Sequence, residues 1–123
     1  MSEVHSRLVD GERHWYRTRR LWELAADLPV HQVPLTDVAE LDQDCWFEYS
    51  TPTIRKVAEH ARRIRDVDPR HPIILAADGT LMDGGHRLAR AWLEGRASVP
   101  AVRFETDPLP DAVGEDRPGP VSS

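Results

Sequence analysis

The sequence predicts one small α+β domain: a small mixed sheet with a central amphipathic helix and a glycine-rich junction between a strand and its following helix. Three observations predict it. Ile54, Val57, Ala58, Ala61, Ile64 and Val67 recur at helical spacing. The apolar run PIILAA passes through Asp78 and Gly79, a hairpin-turn pair, into a second short run ending at Met82. From Asp83 the chain continues as GGHRLARAWLEG, rich in helix formers, with Gly95 where a helix C-terminal glycine belongs.

A chain of 123 residues, 40% hydrophobic and 30% charged, holds one core and folds without metal or disulfide staples. No apolar run approaches the roughly 20 residues that span a bilayer, and the first residues lack a secretory core, so a soluble, cytoplasmic protein with no membrane partner is expected. The single cysteine, Cys45, excludes an intrachain disulfide and a cysteine-rich zinc site. The net charge of −5 argues against a general nucleic-acid coat. That charge is unevenly spread: residues 1–51 carry 5 basic and 10 acidic groups, 52–103 carry 10 and 6, and 104–123 carry 1 and 5. A basic centre between acidic ends suits one small anionic ligand better than a long polyanion.

Taken in order, residues 1–13 are polar and read as a flexible N-terminus, and the domain proper as 14–105. Within His14 to Asp27, Trp15, Leu21, Trp22, Leu24 and Ala25 suit a short helix. The run VHQVPL at Val30 to Leu35 alternates as a strand does, and Pro34 restricts it to a sheet edge. Residues 36–50 read as an ordered loop holding the aromatic cluster Trp46, Phe47 and Tyr49. Ser50 or Thr51 as cap, with Pro52 at the first helical position, opens the central helix over about 52–67, which stops before Pro69. VPAVRFE is a last strand, and 106–123, with four prolines and acidic residues, reads as a disordered tail.

The chemistry concentrates at Asp83-Gly84-Gly85-His86-Arg87. The first turn of a helix presents unpaired N–H groups and partial positive charge, so a strand-to-helix junction is an anion site in outline. Two glycines let a phosphate approach the backbone, Arg87 adds a bidentate guanidinium and His86 a further donor. Asp83 is placed to hold a metal ion or accept a hydroxyl proton. On the alternative reading Asp83 caps the helix, the glycines make a tight turn and Arg87 is a surface group.

From HQVPL through the central helix to HPIILAADGTLMDGGHRLARAWLEGRASVPAVRF the chain resembles the ParB and sulfiredoxin-like superfamily, in about 75 residues and most specifically in its last third. The resemblance implies that Gly84, Gly85, His86 and Arg87 contact nucleotide phosphates, with ATP or CTP and Mg²⁺ as the expected cofactors. It also marks departures. Sulfiredoxins carry their catalytic cysteine directly before the His-Arg pair, where this chain has Gly85. Chromosome-partitioning ParB proteins continue into DNA-binding and dimerisation regions, so no autonomous specific DNA binding is expected. Homodimerisation is left open. Free serine kinases of the same superfamily imply a phosphotransferase or nucleotide hydrolase acting on a small hydroxyl-bearing substrate, with Asp83, Glu48 and His86 as catalytic candidates and Asp83 as the metal ligand. The alternative is a non-enzymatic adaptor for a protein partner or a DNA-bound complex; a nuclease ranks last, because no dense carboxylate cluster surrounds the box.

Trp46, Phe47 and Tyr49 either wall a substrate pocket or cover the core. Trp92, Trp15 and Trp22 read as core, and Arg62, Arg63 and Arg65 as a solvated face. The six histidines show no metal-ligand spacing. His60, on the polar side of the central helix, faces His86 if that helix packs beside the box, and is otherwise a solvated helix histidine.

Overall fold

In the computed structural model, which describes residues 4–47 and 50–114, the chain is a small mixed α+β protein with three α-helices and two small sheets. A first hairpin pairs β1 (Val4–Val9) with β2 (Glu12–Arg17), in register from Val4 opposite Arg17 to Val9 opposite Glu12. Its two-residue loop is Asp10-Gly11, both at positive φ (51° and 82°), the tight turn whose twist matches that of the flanking strands. Residues 4–13, expected to be loose, are therefore a strand and a turn. For the same reason helix α1 starts only at Thr18 (Thr18–Ala25), since Trp15 and its neighbours are committed to β2.

The main sheet runs in the order β3-β6-β4-β5, from β3 (His31–Pro34), β4 (Ile73–Leu75), β5 (Leu81–Asp83) and β6 (Ser98–Arg103). β3, with Pro34, lies at the edge as expected; β4 and β6 are parallel, and the β4–β5 hairpin turns at Gly79, φ 88°. Strand alternation divides the core in two. Ile73, Leu75, Leu81, Val99 and Ala101 meet Leu88 and Ala91 of α3 (Gly85–Leu93). On the opposite face Ile74, Ala76, Met82, Val102 and Phe104 meet Tyr16 and the buried Leu21 and Ala25 of α1.

The central helix α2 (Ile54–Asp66) is capped by Thr53, whose Oγ1 accepts from the Lys56 N–H at 3.2 Å; Ser50 and Thr51 are not the cap. Pro52 holds Thr51 out of helical geometry, which moves the cap one residue beyond the proline. The helix is also turned differently from expectation: Ile54 is 92% and Val57 50% exposed, and none of its residues is fully buried. Its inward contacts include those to α3, where Arg90 donates to the Arg65 carbonyl at 2.6 Å.

The segment expected to be a disordered tail is, up to residue 114, a strap. After Phe104 it runs to the edge of the first hairpin, where its strand β7 (Ala112–Val113) pairs with His14 and Trp15 as the third strand, in the order β1-β2-β7. Tyr16 donates to the Pro108 carbonyl at 2.9 Å and Trp15 Nε1 to that of Gly114 at 2.7 Å. Residues 115–123 lie outside the described residues. Among the described residues no helix is long and apolar enough to cross a membrane.

Candidate functional site

The Gly84-Gly85 step begins α3 as the sequence indicates, but the two glycines are needed for different reasons. Gly84 sits at φ 112°, and a Cβ there would stand 2.6 Å from Ile73 Cγ2, inside the core. It is the helix N-cap, and no side chain caps the turn, so Asp83 is not the cap. Gly84→Ala is expected to cost about 3 kcal/mol, combining left-handed strain with overpacking, as measured by denaturant unfolding. At Gly85 a Cβ would meet Trp46 Nε1 at 3.3 Å: the indole lies against the helix start.

The remaining box residues each engage a partner. Asp83 Oδ2 accepts from Trp22 Nε1 at 2.6 Å and from Arg87 Nη2 at 3.0 Å, across two side chains that are both largely buried. Trp22, read as core, is thus a half-exposed donor to the box. His86 Nε2 lies 2.7 Å from Nδ1 of His60. Trp46 is stacked on both imidazoles, with centroids at 4.5 and 4.7 Å and interplanar angles of 13° and 10°, and Phe47 meets His60 edge-on. Burial and the neighbouring Arg63 guanidinium lower the His86 pKa to about 4, and burial likewise lowers that of His60. Both rings are neutral at pH 7.

These residues line one open cleft of about 2000 Å³, bounded by β1, the start of α1, the box, the 40–46 loop and the inner side of α2. Its charged groups are largely cross-paired: Arg7 with Asp107 at 2.7 Å, Arg20 with Asp111 at 3.2 Å, Arg87 with Asp83. Among the described residues, His5 Nε2, Arg7 Nε, Arg17 Nη1 and Arg87 Nε, on side chains lining the cleft, are buried without a hydrogen-bond partner. A buried donor left unpaired costs on the order of 1–3 kcal/mol.

Of the predicted site residues, Asp83, Gly84, Gly85, His86, Arg87 and Trp46 come together, with Phe47 against His60. Glu48 and Tyr49 lie outside the described residues. His5, Arg7 and Arg17 are not among the sequence candidates, because residues 1–13 read as a flexible N-terminus and His14 to Asp27 as a short helix; the Asp10-Gly11 pair between alternating residues is the available signal. Among the described residues no three His, Cys, Asp or Glu side chains are grouped to hold a metal ion, and Trp92, expected in the core, is 62% exposed. Cys45 is exposed, and Arg65 is engaged by Asp66 at the surface.

No protein-family model matches the chain, and no match was found for it among curated proteins or solved structures.

Proposed function

We propose that this is a ParB-like domain that binds the phosphates of a nucleotide, ATP or CTP, at the start of α3. The observation that supports it most is the start of α3, without a side-chain cap, on the cleft that His86 and Arg87 also line. Helix-start N–H groups favour anions, and the Arg87 guanidinium lines the same cleft beside them. Arg87 is the central contact. Its exchange from Asp83 to a phosphate would convert an internal ion pair into a bidentate ligand contact. Mg²⁺ carried by a nucleotide needs one or two protein carboxylates, and Asp83 is the candidate, provided it gives up Arg87 or Trp22. Phosphoryl transfer to a small hydroxyl-bearing substrate, or to water, is the reaction class this arrangement suits.

The test is a thermal-shift and calorimetry panel of ATP, CTP and pyrophosphate, with and without Mg²⁺, on the wild type and Arg87→Ala. At a ligand concentration of 100 Kd the wild type is expected to gain about 2.7 kcal/mol. Arg87→Ala is expected to bind about 10 to 100 times more weakly with an unchanged circular dichroism spectrum. Equal shifts in both proteins, or none with any nucleotide, would remove the phosphate reading.

One observation favours a second reading, a non-enzymatic adaptor. Ile54 and Val57 on α2, and Trp92 and Leu93 on α3, are exposed apolar groups of the kind that interaction faces use. On that reading the domain shows no nucleotide effect at all.

A further inference from the structure

The His60 and His86 rings meet in a geometry with a chemical consequence. Their centroids are 5.0 Å apart, their planes differ by 11°, and Nδ1 of His60 is 2.7 Å from Nε2 of His86. At that centroid spacing 2.7 Å is about the closest two ring nitrogens can come, so both lie on the line joining the rings. The imidazoles are therefore edge to edge and nearly coplanar, with Trp46 laid over both. A ring nitrogen pair so aligned is an N–H···N hydrogen bond. It leaves no room for a metal ion between the nitrogens.

Two neutral imidazoles joined in this way have constrained tautomers. If His60 Nδ1 carries the shared proton, His86 holds its own on Nδ1 and His60 Nε2 is bare; if His86 Nε2 carries it, His60 holds its own on Nε2 and His86 Nδ1 is bare. In each case both rings are the same tautomer, one outer nitrogen is an acceptor and the other a donor. Shifting the shared proton exchanges the two states when, in the same event, the bare outer nitrogen gains a proton and the opposite outer nitrogen loses its own.

We propose that His60 and His86 form a two-ended proton relay serving the cleft. The inference rests on the phosphate reading for its substrate. An acceptor hydroxyl, or water, gives its proton to the bare outer nitrogen as its oxygen forms a bond to phosphorus. The bond from phosphorus to the leaving phosphate oxygen breaks, and that oxygen keeps the electron pair. The shared proton crosses between the rings, and the N–H at the far end releases its proton to solvent. The charged groups near the pair are Arg63 and Glu59 from α2 and Arg87 from α3. The 40–46 loop and its continuation contribute Trp46 and Phe47, which carry no charge but shield one side. Burial, reinforced by the Arg63 guanidinium, keeps the resting pair neutral, which a proton acceptor requires.

The experiment has two arms on the full chain. Nitrogen-15 NMR of histidine-labelled protein at pH 7 is expected to show His60 and His86 in matching tautomers; opposite tautomers, or two rings titrating independently, overturn the relay. Phosphate release from Mg·ATP and Mg·CTP is then compared in the wild type, His60→Ala and His60→Gln, with nucleotide affinity measured alongside. His60→Ala is expected to slow release about 100-fold without changing affinity. His60→Gln restores a hydrogen-bond partner that holds His86 but cannot pass a proton, so it is expected to remain slow. Full rate in His60→Gln makes His60 a positioning residue only and overturns the relay, as does a wild type that binds nucleotide and releases no phosphate. Absence of nucleotide binding overturns the phosphate reading instead, and the tautomers then decide whether the dyad exists.

Discussion

Truncation after Glu105 is expected to detach the first hairpin and to lower stability by more than any single substitution in the strap. Asp107 is the strap's main anchor: its Oδ1 accepts from the Ala77 N–H and its Oδ2 from Arg7 Nη2, each at 2.7 Å. Asp111 holds the other end, accepting from the Arg17 N–H at 2.8 Å and pairing with Arg20. Asp107→Ala strands a backbone donor and leaves Arg7, whose Nε already lacks a partner, with Thr80 and a longer approach to Asp78. About 3 kcal/mol is expected to be lost, read by urea unfolding. Truncation adds the loss of the β7 pairing and of the acceptors for Tyr16 and Trp15. A truncated protein as stable as the full chain would show that residues 106–114 are dispensable. Because the hairpin brings His5, Arg7 and Arg17 to the cleft, the nucleotide binding proposed above is expected to be lost with it.

Acid is expected to destabilise the fold between pH 6.5 and about 4, before most carboxylates protonate. Burial, reinforced by the Arg7 guanidinium, lowers the His5 pKa from 6.5 to about 4, and His86 is lowered as far. The sign follows from linkage. Over this interval the unfolded chain binds protons that the folded chain excludes, so stability is full above pH 6.5 and falls as pH falls, levelling below about 4. The His5 shift corresponds to at most about 3 kcal/mol, and the more exposed His86 adds less. Carboxylates with lowered values, such as Asp68 at about 2, act below this window. His5→Leu removes a buried nitrogen that has no partner, and is expected to flatten the pH dependence and to leave stability at pH 7 unchanged or raised. An unchanged slope of unfolding free energy against pH in His5→Leu would show that His5 is not the group responsible.

The α+β class, the edge strand with Pro34, the hairpin turning at Gly79, the start of α3 at the Gly84-Gly85 step and its stop at Gly95 were all legible in the chain itself. Each is a local decision, made within a few residues by turn chemistry, proline geometry or periodicity. The Asp10-Gly11 hairpin is equally local, but its first strand is polar enough to read as loose and Trp15 in its second suits a helical spacing with Leu21 and Trp22.

The rest depended on distant partners. Residues 106–114 contain little that would order them alone; they are held because Arg7, Arg17, Tyr16 and Ala77 present donors to them from elsewhere in the fold. The periodicity of α2 established a helix, but which side faces inward was set by stacking of Trp46 on His60 and by Arg90 reaching the helix's last carbonyls. Twenty-six residues separate His60 from His86, and no spacing rule joins them. Sequence by itself determined where the chain turns and where α3 begins. Only the tertiary structure decided which side chains surround that start, because hydrogen bonds and ring contacts between remote residues depend on packing that no local pattern encodes.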